Sequence, residues 1–273
     1  MNHTGNFPGN RPTGATPAHW SYGSGITYVQ PLTFVLIHGA WADASFWDGV
    51  AVELRRMGHT VYAPEYPGHG GDPNKAVTHR MITQAVVQFI ESHHLRDIVL
   101  VGHSFGGSIV QKVVERVPDR IKRMVFLNAF VLSDGESIND ELPPPAQTLF
   151  LQIRQRSADD TIMLPFPLYR ETFANLASLE LAQRLYRNAP PEPAAPLYEK
   201  LDLKTFYKLT IPRSYVYLTE DVALPQGGGY GWHPHMSSRL GMFRYNAGHG
   251  DHMSTVKTEP AMIARKLYEA GRD

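Results

Sequence analysis

The stretch that most constrains this chain is Val99-Leu100-Val101-Gly102-His103-Ser104-Phe105-Gly106-Gly107, an apolar run that ends in a serine flanked by glycines. Read as a buried strand from Ile98 to Val101 followed by a helix from Phe105 onward, it makes the backbone reverse within about three residues. Ser104 then stands at the tip in a strained conformation, and Gly102 and Gly106 fall where a side chain would collide. Ile109, Val110, Val113, Val114 and Val117 supply the helix with an apolar face at 3.6-residue spacing, which stops at Pro118. Gly-x-Ser-x-Gly alone is a weak signal. The strand–turn–helix context is what makes Ser104 a candidate nucleophile.

The neighbouring sequence repeats this alternation. Leu32 to Ile37 is continuously apolar, as suits a strand covered on both faces. A helix through Trp47, Val50, Ala51, Leu54 and Met57 is closed by Gly58, and a strand follows from Thr60 to Ala63. Thr78 caps a helix whose apolar face runs from Met81 to Ile90. Ile121 to Leu127, Ser214 to Leu218 and Met242 to Tyr245 read as further strands, and Glu259 to Glu269 as a closing helix. Strands alternating with amphipathic helices predict an α/β fold, a mostly parallel sheet flanked by helices on both faces.

The alternation lapses in two places. Residues 1–30 are rich in Gly, Pro, Asn and Thr and read as a flexible arm, with Ile26 to Val29 as an optional edge strand. From residue 131 to 211 prolines recur and no strand pattern appears, while helical stretches fall near 146–156, 170–187 and 197–208. That is too long for a bare loop, so it reads as a helical cap inserted between core segments 31–130 and 212–273.

Composition sets the outer bounds. Lys plus Arg and Asp plus Glu are each 26, so the chain carries no electrostatic footprint for nucleic acid or an anionic membrane surface. Small apolar or weakly charged molecules are the expected partners, and a homodimer is left open. Without cysteine there is neither a disulfide nor a thiolate nucleophile. The N-terminus shows no basic-then-apolar leader and no apolar run reaches about 18 residues, which gives a cytoplasmic expectation. His233-x-His235 lacks a third ligand at a telling spacing, so no metal and no cofactor is expected.

A serine hydroxyl needs a base to take its proton, and the base needs an acid to fix its tautomer. Catalytic groups on such sheets gather beyond the C-terminal ends of the strands. Three loops in that position carry Ser104, Asp221 and His252, in the order of the nucleophile-elbow hydrolases. The backbone N–H groups of Phe105 and of Ala40, in His38-Gly39-Ala40, are the expected oxyanion donors.

Together these motifs resemble the small α/β-hydrolase branch that contains methylesterases and hydroxynitrile lyases. The resemblance rests on His38-Gly39-Ala40 with Trp47 nine residues after the His, on Gly102-His103-Ser104-Phe105-Gly106-Gly107, on Thr219-Glu220-Asp221 and on Gly250-Asp251-His252-Met253. It covers roughly residues 32–130 and 212–270, and the cap matches only in kind. It implies Asp221 over its competitors Glu220 and Asp134, and His252 over His249. Lyases of this branch place a threonine at Gly39 and a lysine at Met253. Their absence points to hydrolysis of an ester, lactone or thioester by a cofactor-free serine esterase. A ligand receptor with little turnover, or a cofactor-free oxygenase on the same scaffold, are the alternatives. Trp41, Phe130, Phe150, Phe166 and Met253 are the expected pocket residues, and the loop from Pro225 to Arg239 is longer and richer in glycine than the branch leads one to expect.

Overall fold

A computed structural model of the chain describes residues 30–227 and 229–273. The expected arm, apart from Gln30, lies outside them together with its edge strand. Residues 31–273 form one compact unit.

Strands and helices alternate along the first half as β1 (Thr33–Ile37), α1 (Asp48–Arg56), β2 (Thr60–Tyr62), α2 (His79–Ser92), β3 (Ile98–Ser104), α3 (Gly106–Val114) and β4 (Ile121–Ala129). The next stretch carries α4 (Pro144–Arg156), β5 (Thr161–Ile162), α5 (Phe166–Phe173), α6 (Leu179–Asn188), β6 (Glu192–Pro193) and α7 (Ala195–Tyr198). The alternation then resumes with β7 (Arg213–Leu218), β8 (Arg244–Gly248), α8 (Ser254–Thr258) and α9 (Pro260–Gly271).

Six strands form a parallel sheet in the order β2-β1-β3-β4-β7-β8. Every residue of β3 is buried, as its unbroken apolar run demands of a central strand. One apolar layer joins the sheet to α2, α3 and the inserted stretch; the other joins it to α1 and α9. Local signals act where the sequence puts them. The Thr78 side chain accepts from the Met81 amide, and Gly58 takes a φ of +91° just beyond α1.

The expected helix over 170–187 is two helices, because Ser178 caps α6 by accepting from Leu181 and so starts a new element inside the run. Of the stretch 197–208 only α7 and a short turn at Phe206–Lys208 are helical. There the chain pairs with residues 134–136 instead: the Gly135 amide donates to Leu201 O, the Leu201 amide to Glu136 O and the Leu203 amide to Asp134. β5 and β6 form a two-stranded antiparallel ribbon, too short to show a period in sequence. The last strand begins two residues later than its apolar run suggests, since Met242 is 96% exposed.

Candidate active site

Ser104 ends β3 with a φ of +53°, in the left-handed region that a residue with a side chain seldom adopts. Such strain of roughly 1–3 kcal/mol persists only where the surroundings hold it. They do: a Cβ on Gly102 would lie 2.6 Å from Gly106 O, and one on Gly106 would lie 2.7 Å from His38 O. Strand, turn and helix therefore touch backbone to backbone, and the serine is carried at the top of the sheet.

The other two expected residues meet each other at the same edge of the sheet. Asp221 follows β7 and His252 follows β8, so both stand beyond the same C-terminal edge as Ser104. His252 Nδ1 lies 2.6 Å from Asp221 Oδ2, and both side chains are buried. This engagement leaves Nε2 on the opposite side of the ring. The acid is itself fixed, with Asn128 Nδ2 donating to Asp221 Oδ2 and the Ala223 amide donating to Oδ1. Asn128 also clasps β7, accepting from the Leu218 amide and donating to its carbonyl. The His252 ring is sandwiched by aromatic neighbours: Trp232 stacks on it at 5.3 Å, and Phe173 meets it edge-on at the same separation.

Ser104, Ala40 and Phe105 line one cavity of about 120 Å³, whose walls are almost wholly apolar. Neither the Ala40 nor the Phe105 amide has a hydrogen-bond acceptor among the described residues. Of the expected pocket residues, Trp41, Phe130 and Phe150 line this cavity. Phe166 does not, because its ring packs on Tyr186 at 5.2 Å. Met253 does not either: its side chain joins the apolar layer under α9 and faces a separate outer depression. Trp232 and Leu142 are walls that the sequence reading misses, and Trp232 comes from the glycine-rich loop itself.

The competing candidates are engaged elsewhere. His249 is half exposed and pairs with Glu259 at 2.8 Å. Glu220 accepts from the Gly250 amide, and Asp134 from the Leu203 amide. His233 meets the Ser237 hydroxyl and His235 the Glu141 carboxylate. Among the described residues no cluster of three or more metal-ligating side chains occurs. His103 stacks on Phe46, and burial first, then the neighbouring His252, pushes its pKa well below the ordinary histidine value. It is a neutral packing partner and not a second base.

A serine on a strained strand-to-helix turn, with a buried His–Asp pair beyond neighbouring strands of a parallel sheet, defines a nucleophile-elbow hydrolase scaffold. The chain belongs to the α/β-hydrolase family, whose family model, described as "Alpha/beta hydrolase family", matches residues 34–264. It is similar to a solved extracellular α/β-hydrolase from a Paenibacillus species, described as sharing structural and functional homology with tobacco salicylic acid binding protein 2. Identity is 60%, the TM-score 0.88, and the match covers 89% of this chain and 100% of that one. Among curated proteins it is 34% identical over 144 residues to a carbendazim hydrolyzing esterase of Nocardioides sp. (strain SG-4G), covering 49% of this chain and 60% of that protein. It is 28% identical over 208 residues to the putative chloroplastic methylesterase 13 of Arabidopsis thaliana, covering 70% of this chain and 46% of that protein. The chain thus spans roughly half the length of these curated relatives. Among the described residues no helix is long and apolar enough to cross a membrane.

Proposed function

We propose that the chain is a serine esterase acting on small carboxylic esters through an acyl-enzyme. Ser104 Oγ attacks the ester carbonyl carbon while its proton passes to His252 Nε2. Asp221, held on Nδ1, fixes the tautomer and stabilises the imidazolium. The oxyanion forms between the Ala40 and Phe105 amides, each contributing about 3 kcal/mol to the transition state. His252 returns the proton to the departing alcohol. Water, deprotonated by the same ring, then attacks the acyl-enzyme and frees the acid and the serine.

The observation that carries this reading is the buried 2.6 Å contact of His252 Nδ1 with Asp221 at the same sheet edge as a serine with φ +53°. The names of the esterase and methylesterase relatives support the same class. We read residues 131–211 as a cap that sets specificity. The cavity is small and its walls are almost wholly apolar, so a phenyl or short alkyl ester suits it. Gly39 argues against lyase chemistry. A Cβ there would lie 2.7 Å from Ser104 Cβ, so the threonine of the lyases does not fit without moving the nucleophile. The expectation of a cytoplasmic location stays an expectation, one relative being extracellular.

The test is hydrolysis of a panel of p-nitrophenyl and methyl esters by the wild type and by Ser104→Ala, with fluorophosphonate labelling of both. Turnover and labelling that vanish in the variant support the proposal. A variant that turns over esters at the wild-type rate refutes it. Reversible ligand binding without turnover by the wild type would favour the receptor alternative.

A further inference from the structure

The oxyanion loop does not stand on the core alone. Trp41, directly after the expected donor Ala40, has a φ of +54°, a conformation that costs a residue with a bulky side chain roughly 1–2 kcal/mol. Both of its N–H groups are taken by the β5–β6 ribbon of the inserted stretch. The main-chain amide donates to Glu192 Oε2 at 3.0 Å, and the indole Nε1 donates to Ile162 O at 2.8 Å. Ile162 and Glu192 are directly paired across the ribbon, so one rung grips one residue. Glu192 is fully buried, and a buried carboxylate is costly unless it is paired. Its partner is His69, whose Nε2 lies 3.1 Å from Oε2. His69 in turn packs edge-on against Tyr66, whose hydroxyl donates to His38 O one peptide before Gly39. Burial works against the charged His69 ring, but the Glu192 carboxylate outweighs it and holds the pKa above the ordinary value.

We infer that Glu192 is a positioning residue for the oxyanion loop, through which the β5–β6 ribbon orients the Ala40 amide. This rests on the esterase reading above. A buried ion pair between distant segments could serve stability alone. Two details speak for positioning. The carboxylate is spent on the one amide adjoining the expected donor, and the residue it holds is in a strained conformation that would otherwise relax. Relaxation at Trp41 turns the peptide between Ala40 and Trp41 and with it the plane that precedes it. An oxyanion donor is sensitive to displacements of this kind, since its contribution depends on aim at the developing charge.

The experiment measures kcat and KM per fluorophosphonate-titrated serine, together with thermal stability, for Glu192→Ala, Glu192→Gln and the double variant His69→Leu/Glu192→Leu. Glu192→Ala should lower kcat by about 10- to 100-fold with KM within about threefold, the pattern of an interaction made in the transition state. Glu192→Gln keeps an acceptor for the Trp41 amide and should regain most of kcat. The double variant removes both members of the buried pair at once. Such replacements are often neutral for stability, so it tests the idea even where Glu192→Ala fails to fold. It should fold yet keep the kcat defect. Wild-type kcat per titrated serine in the double variant, or a defect confined to KM, overturns the inference. A wild type that hydrolyses no ester and takes up no fluorophosphonate refutes the esterase reading and this inference together. An active wild type with unimpaired Glu192 variants overturns only the inference.

Discussion

The sheet-borne loops and the inserted stretch hold the same cavity by different means. On the sheet, Ser104, Asp221 and His252 are placed by parallel strands whose register is set by continuous burial, and each loop inherits its position from the strand before it. The 131–211 stretch has no such frame. It reaches the site by side-chain packing in the apolar layer it shares with α2 and α3, by Phe173 against His252, and by a few long-range polar contacts, among them Glu192 to Trp41, Ile162 to the Trp41 indole, the Leu176 amide to Asp251 and the Met253 amide to Phe173 O. On the proposed reading, chemistry sits where strand position fixes the groups, while substrate fit sits on a stretch without that frame.

The sharpest way to break this contrast is to change a residue of the first kind. Asp221→Asn preserves shape but reverses what His252 Nδ1 faces, and kcat should fall by about 10³- to 10⁴-fold with little change in melting temperature. A loss below tenfold would move the acid to another residue.

Asn128→Ala comes next. It leaves the buried Asp221 carboxylate short of a charge-assisted bond and unclasps β4 from β7. Loss of about 1.5–3 kcal/mol should appear as a kcat reduced by roughly 10- to 100-fold. An unchanged kcat would show that the Ala223 amide alone can hold the acid.

Beneath the elbow, His79 is wholly buried between Ser108 and Thr83, and burial brings its pKa down to about 3. In the unfolded chain it binds its proton near 6.5. Between these values the unfolded state carries the extra proton, so stability is full above about 6.5 and declines as pH falls toward 3. One such histidine contributes a slope of up to ~1.4 kcal/mol per pH unit. Urea unfolding of wild type and His79→Gln at several pH values should show the acid slope flattened in the variant. Parallel curves would mean that His79 takes up a proton while folded.

The smallest effect separates the two kinds of aromatic residue in the inserted stretch. Phe150→Ala opens the cavity wall and should raise the preference for longer acyl chains about tenfold. Phe166→Ala, which removes a partner of the half-buried Tyr186, should leave that preference within about twofold while lowering stability by about 1 kcal/mol. Equal shifts in preference would mean that the stretch acts as one body.

The same contrast explains what could be read in advance. The placement of Ser104, Asp221 and His252 at one edge of the sheet was legible because each follows an apolar run of strand length, and the glycines around Ser104 mark close backbone contact. Asn128 was hidden, since an asparagine at a strand end gives no sign that it will take a φ of +35° and bridge to the next strand. Trp232 was hidden by its glycine-rich loop, whose course no periodicity describes. Met253 and Phe166 fall outside the cavity for a related reason: apolar character predicts burial but not which neighbours receive the side chain, Met253 joining the layer under α9 and Phe166 packing on Tyr186. Glu192 was the least legible of all, a lone carboxylate among prolines whose two partners lie more than 120 residues away.

The left-handed turn at Ser104 has one more consequence. Because main-chain contacts at Gly102 and Gly106 hold that turn, and the hydroxyl takes no part in them, the tip would present any short side chain at the same point in space. The elbow is a socket, and the element plugged into it can be exchanged. On the esterase reading, Ser104→Cys would present a thiol at that same point, so the chemistry could be revised by a single substitution while the fold that aims it stays constant.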